Sequence, residues 1–306
     1  MNTSAYGSQF DQIIQAASGI ILGKEHQLKL SLACILAKGH LLIEDLPGVG
    51  KTTLAQVLSR LLDLQFNRIQ FTSDMLPADV LGISVYVQNS EQFTFHPGPI
   101  FSNIVLADEI NRATPKAQSA LLEAMEEQQV SLEGITHQLP SPFFVIATQN
   151  PTDQIGTFPL PESQLDRFLL SISLGYPDER AERELLLAQD PRQKLVSLQP
   201  CLSPEQLAEM QANVSEITVS AALLDYVQAL VRASRESTRF YHGLSPRAAL
   251  ALMQVSKAWA MLHGRLFVIP EDVQAVLPAV VGHRLISTDS DNQADAIESL
   301  LNIPIP

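Results

Sequence analysis

Residues 41–53 limit what this chain can become more than any other stretch. Leu41-Leu42-Ile43 is an apolar run, and Asp45-Leu46-Pro47-Gly48-Val49-Gly50-Lys51-Thr52-Thr53 follows it. Leu54, Val57, Leu58, Leu61 and Leu62 then recur at i, i+3, i+4, i+7 and i+8, which gives a helix one apolar face. A strand, a glycine-bearing turn and a helix N-terminus together make a phosphate cradle. Free backbone N–H groups and the positive end of the helix dipole converge on the anion. Gly48 and Gly50 let the backbone approach phosphate closely in dihedrals closed to other residues. Lys51 can reach the β- and γ-phosphates, and the Thr52 hydroxyl can ligate Mg²⁺. The expected ligand is a nucleoside triphosphate, held by residues 47–53. The pattern G-x-x-x-x-G-K-[ST] has glycine where Asp45 stands. Asp45 is expected to accept a hydrogen bond inside the loop, away from the phosphates.

Further strands are expected at Asn67–Phe71, Asn103–Ala107, Phe143–Thr148 and Leu169–Leu174, in addition to His40–Glu44, with helical patterns between several of them. That alternation predicts a parallel sheet covered on both faces by helices. Ile104-Val105-Leu106-Ala107 and Phe143-Phe144-Val145-Ile146-Ala147 are apolar throughout, as central parallel strands are. Two hairpins interrupt the alternation. One runs from Ile83 through a turn at Asn89-Ser90-Glu91 to Phe95, and the other spans 130–139 around Glu133-Gly134. They either cover the sheet edge or act as moving, partner-contacting parts. After Tyr176-Pro177 the strand signals fade. Ser220 caps one helix, Ser245-Pro246 opens another and Pro270 a third. The expected division is 1–176 for the α/β unit and 177–306 for a small helical one.

The strand 104–107 runs into Asp108-Glu109, and strand C-termini are where ligands bind in open α/β sheets. Asp108 can hold the hydration shell of Mg²⁺, and Glu109 can polarise an attacking water. Alone, this is a strand ending in a solvated acidic turn; beside a phosphate loop it becomes chemistry. Strand 143–148 ends at Gln149-Asn150-Pro151, where Asn150 either senses the γ-phosphate and orients water or starts an Asn-Pro turn. Arg167 is either a transition-state arginine or a salt bridge to Asp166 or Glu162. Arg247 lies in the first turn of the helix begun at Ser245-Pro246, where a cation is disfavoured unless an anion sits nearby. Asn111 and Arg112 follow the acidic pair and reach a nucleotide across a subunit boundary or remain exposed charge and polarity. Ile21 and Gly23 belong to a small apolar patch suited to an adenine base or to an ordinary helix end.

The chain has 306 residues and a formal net charge of −13, which argues against avid nonspecific DNA binding. No apolar run reaches membrane-spanning length, and Met1 to Gln9 lacks a signal pattern. Cys34 and Cys201 are the only cysteines, expected as reduced packing residues. A cytoplasmic location follows as an expectation.

Taken in order, these residues resemble the MoxR family of AAA+ ATPases, in the clade with a helix-2 insert. The specific parts are Glu44 to Thr52, Pro97-Gly98-Pro99-Ile100-Phe101, Ala107 to Arg112, Ser119 to Met125, Ala147 to Pro151 and Pro159 to Phe168. The family commonly carries an acid where Asp45 stands, whereas His96 departs from the arginine expected before Pro-Gly-Pro. The resemblance implies a three-layer αβα P-loop NTPase domain with a parallel sheet, followed by an all-helical lid. It implies ATP and Mg²⁺ as cofactors. Lys51 and Thr52 stand as Walker A, Asp108 and Glu109 as Walker B, Asn150 as sensor 1, Arg167 as arginine finger and Arg247 as sensor 2. The hairpins look like the helix-2 and pre-sensor-1 inserts. Also implied are a hexameric ring, chaperone-like remodelling or metal insertion on a protein client, and a partner with a von Willebrand factor A domain. A nucleic-acid-stimulated translocase is the alternative. It calls for Lys or Arg on a pore hairpin, and neither 83–95 nor 130–139 contains one. A nucleotide-gated scaffold without hydrolysis is the third reading, opposed by the full set of catalytic residue types.

Overall fold

In a computed structural model, which describes residues 3–88, 91–150, 156–187, 191–289 and 292–305, alternation along three strands sets the layering. These are β1 (Leu41–Glu44), β5 (Ile104–Asp108) and β8 (Phe144–Gln149). Successive side chains of a strand face opposite ways. Leu41, Ile43, Ile104, Leu106, Phe144 and Ile146 accordingly enter one buried cluster. Leu42, Val105, Ala107, Val145 and Ala147 enter another on the opposite face. Flanked by β2 (Phe66–Gln70) and β9 (Leu170–Ile172), they form a five-stranded sheet in the order β2-β5-β8-β1-β9. Every pairing is parallel. The strand boundaries lie within a few residues of those expected, as is usual at element ends.

The first buried cluster gathers α1 (Thr3–Ser18), α2 (Glu25–Leu36) and α3 (Lys51–Leu61) onto one side of the sheet. The other side carries α4 (Pro77–Leu81) and α5 (Pro115–Glu127), and α6 (Glu162–Leu165) is a single turn before β9. Thr114 caps α5 by accepting from the Ala117 N–H, with Pro115 at the first helical position. His40, fully buried, ties three elements together. Its Nδ1 accepts from the Val145 N–H, so its Nε2 carries the proton and donates to the Met125 carbonyl. Burial pulls that imidazole down to about 4, so it stays neutral.

Beyond residue 177 the chain is helical. The helices are α7 (Glu179–Leu187), α8 (Pro191–Ser197), α9 (Pro204–Val214), α10 (Ala221–Glu236), α11 (Pro246–Leu262), α12 (Pro270–Val281) and α13 (Gln293–Leu301). Ser220 and Ser245 cap α10 and α11 through their hydroxyls, as their sequences predict. Of these, α9 to α13 share the first buried cluster with α1 and α2, Leu195 of α8 packs against it, and α11 packs on α2 and α12. One continuous core therefore runs from the sheet into the helical part. Cys34 is buried in it and both cysteines are free thiols. No helix among the described residues is long and apolar enough to cross a membrane.

Both interrupting hairpins are present as separate two-stranded sheets. One is β3 (Gly82–Val87) with β4 (Gln92–Pro97), and the other β6 (Gln129–Leu132) with β7 (Ile135–Gln138). Asn89 and Ser90 of the expected first turn lie outside the described residues. Neither hairpin pairs with the edges of the central sheet, which are β2 and β9. Instead the hairpins meet one another, with Phe95 stacked on His137 at a centroid distance of 3.9 Å. Ile83, Tyr86, Phe93 and Ile135 remain exposed on them.

Candidate nucleotide-binding site

The loop after β1 holds its shape through two glycines with positive φ, Gly48 at 84° and Gly50 at 98°. Side chains rarely adopt such dihedrals. Among the described residues nothing lies within 4 Å of a Cβ built at either, so an anion has room against the loop backbone. α3 starts at Lys51, leaving its first N–H groups without intrahelical partners. They face a cleft of about 360 Å³ lined by Pro47, Gly48, Gly50, Lys51, Thr52 and Thr53 from the loop side. Across it stand Asp108, Glu109, Asn150 and Arg68. Parallel strands bring their C-terminal ends together, which is why residues more than 100 positions apart share one cleft. Val49 turns away and packs on the core.

Asp45 accounts for the departure from glycine. Its Oδ2 accepts from the backbone N–H groups of Leu174 and Gly175 at 2.6 and 2.7 Å and from the Ser173 hydroxyl, while Oδ1 accepts from the Leu46 N–H. The side chain thus points away from the cleft and pins the loop to the segment that follows β9. Lys24 donates to the Tyr176 carbonyl, so the turn between α1 and α2 abuts the same segment. Asp45→Ala strips a charged acceptor from the buried Leu174 N–H, and such losses cost about 2–3 kcal/mol. Denaturant unfolding should show that drop, with Asp45→Asn losing less than half of it. An alanine variant as stable as wild type would remove Asp45 from this role.

The acidic pair is held from three sides. The Thr148 hydroxyl donates to Asp108 Oδ1 at 2.6 Å and accepts from the Glu109 N–H at 2.9 Å. Glu109 adopts a left-handed backbone (φ 57°, ψ 48°), an uncommon state for a side-chain-bearing residue that turns its carboxylate off the strand axis. Its Oε2 accepts from Gln70 Nε2 at 3.0 Å and pairs with Arg112 Nε at 3.0 Å. Arg112 therefore serves an internal ion pair here. Asp108 is bound by Arg68, whose Nη2 lies 2.6 Å from Oδ2. Burial draws the Lys51 ammonium below its ordinary value against the opposing pull of Asp108, Asp45 and Glu109, and its Nζ donates to the Asp45 carbonyl. Asn150 is buried at the end of β8, and its carbonyl accepts from Asn111. Pro151 lies outside the described residues.

These residues fit magnesium and triphosphate. An open backbone cradle, one lysine, a hydroxyl at the helix start and a buried strand-end carboxylate are the donor set that such a complex takes.

Arg167 and Arg247 stand elsewhere. Neither lines this cleft; both bind the single carboxylate of Glu126 at the end of α5, with Arg167 Nη2 at 3.1 Å and Arg247 Nη2 at 2.5 Å. Glu126 is the anion that relieves Arg247 at its helix start. Asp166 pairs instead with the largely buried Arg284, which also donates to the carbonyls of Phe168 and Leu169. Arg284 thereby anchors the segment bearing Arg167 to the helical part. Ile21, buried in the core, and Gly23 (φ 69°), which adjoins Asp178 and Ala181, are not among the residues lining the phosphate cleft. Reading along the chain did not single out Arg68, Gln70, Glu126, Thr148 or Arg284. Only Thr148 had a signal, as the last residue of a buried strand that leads into Asn150.

Comparison with known proteins agrees with this geometry. Residues 40–170 match the family described as ATPase family associated with various cellular activities (AAA), and residues 232–301 match an AAA lid domain. The chain is 45% identical to protein YeaC of Bacillus subtilis over 89% of its length and 85% of that protein. It is 42% identical to chaperone MoxR1 of Mycobacterium tuberculosis over 91% of its length and 75% of that protein. A crystal structure of a putative ATPase from Cytophaga hutchinsonii superposes with a TM-score of 0.88 at 35% identity, covering 100% of this chain and 97% of that one.

Proposed function

Since this chain belongs to the MoxR family of AAA+ ATPases, we propose that it hydrolyses ATP and couples the cycle to remodelling or maturation of a protein client. The observation that carries the reading is the meeting of Lys51, Asp108 and Glu109 across one phosphate-sized cleft. Magnesium, held through Thr52 and Asp108, supplies charge neutralisation at the phosphates when bound. The loop N–H groups and Lys51 bind and orient the triphosphate tail. Glu109 takes the proton of the attacking water, and Asn150 orients that water without adding charge. Asp108 keeps its position through Thr148, which also fixes the Glu109 backbone.

Arg167 and Arg247 share a carboxylate away from their own cleft. That supports their acting on the nucleotide of a neighbouring copy, within a ring that we take to be hexameric. The exposed apolar residues of the two hairpins suit a protein client better than a nucleic acid backbone, which calls for Lys or Arg. A partner with a von Willebrand factor A domain and a cytoplasmic setting complete the proposal. Phosphate release by the purified chain tests it. Turnover per chain should rise with protein concentration as copies assemble, and calorimetry should detect ATP binding in the presence of magnesium. A folded chain without affinity for adenine nucleotides overturns the reading.

A further inference from the structure

Two cationic demands fall on one carboxylate at the C-terminal end of β5. Arg68 lies on β2, the strand that pairs with β5, and sends both Nε and Nη2 to Asp108 Oδ2 at 3.1 and 2.6 Å. Oδ1 already accepts from the Thr148 hydroxyl. An ionised carboxylate has about four acceptor positions, and three are filled. The Asp108 side chain is only 11% exposed, whereas that of Arg68 is 46% exposed and borders the cleft, so the open approach to the carboxylate is where the guanidinium lies. The waters of a magnesium ion need those same acceptor positions.

We propose that Arg68 is a positioning residue that competes with the divalent cation for Asp108, so that seating the metal and releasing the guanidinium are one event. The proposal rests on the nucleotide reading above. Three features make the exchange workable. Both arginine donors fall on one oxygen, not on the two oxygens of a fork, which is the weaker arrangement. A doubly charged ion placed there repels the guanidinium in a site of reduced dielectric. The released side chain keeps a partner, because Arg68 Nη2 also donates to Gln70 Oε1 at 2.6 Å. Holding Asp108 to a cation at all times keeps a buried carboxylate paired, and unpaired burial of charge is costly.

The test uses the full chain and a non-hydrolysable ATP analogue, with calorimetric affinity measured over a magnesium series. Arg68→Gln should lower the magnesium concentration that gives half the affinity gain by about 3- to 10-fold, the range for losing one half-exposed charge-assisted competitor. The gain should be confined to magnesium: in EDTA the variant should bind the analogue no more tightly than wild type, because the competition is for metal alone. Arg68→Lys, which keeps the charge and loses the paired donors, should fall between the two and serves if the glutamine variant does not fold. An unmoved magnesium midpoint in folded variants overturns the proposal. So does an equal gain of affinity in EDTA, which would place the effect on the nucleotide and not on the metal. Absence of binding by the wild type at every magnesium concentration overturns the nucleotide reading, and this proposal with it.

Discussion

Arg167→Ala should lower ATP turnover of the assembled protein about 1,000-fold or more, the range for removing an arginine that stabilises transferring phosphate. The side chain lies on Glu126 beside Arg247 and does not enter its own chain's cleft. Its loss should therefore leave ATP affinity nearly unchanged and strike only turnover. Mixing gives the decisive measurement. An Arg167→Ala chain keeps an intact cleft, and a Glu109→Gln chain keeps an intact arginine. If the arginine serves a neighbour, mixed assemblies should recover a sizeable fraction of wild-type phosphate release although each variant alone is nearly inactive. Full activity of Arg167→Ala, or no recovery on mixing, defeats the arrangement.

Glu109→Gln is the second large effect, with an expected fall in turnover of about 100- to 10,000-fold, as for loss of a positioned general base. The amide keeps the volume of the side chain and a carbonyl for the Gln70 and Arg112 donors, so the local structure should hold. Lys51, Thr52 and Asp108 are untouched, and calorimetry should find ATP bound as tightly as in the wild type. Such a chain should accumulate in the ATP-bound form, which makes it the reagent for capturing a client complex. Normal phosphate release by Glu109→Gln would take Glu109 out of the reaction.

Much of the site can be read along the chain because its parts are short and covalently continuous. The phosphate loop, the carboxylates at the end of β5 and the amide at the end of β8 each sit where a strand finishes. Apolar runs mark those strands plainly. The expected loop role of Asp45 holds, but its range was longer: it binds Leu174 and Gly175, some 130 residues on. Ion-pair partners were the least readable. The sequence offers Arg167 two near partners, Asp166 and Glu162, yet Asp166 pairs with Arg284 and Arg167 with Glu126. Surface charges in a chain with 33 acidic side chains have too many possible partners for local spacing to choose among them.

Strand, turn and helix therefore came from local chemistry: period, glycine dihedrals and caps act between near neighbours, whose separation the backbone enforces. Partnership across the fold came from packing. Arg68 meets Asp108 only because β2 lies beside β5, and Arg167 meets Arg247 only because the helical part shares a core with the sheet. Sheet order and helix docking minimise exposed apolar area over the whole chain, and that sum has no short sequence signature.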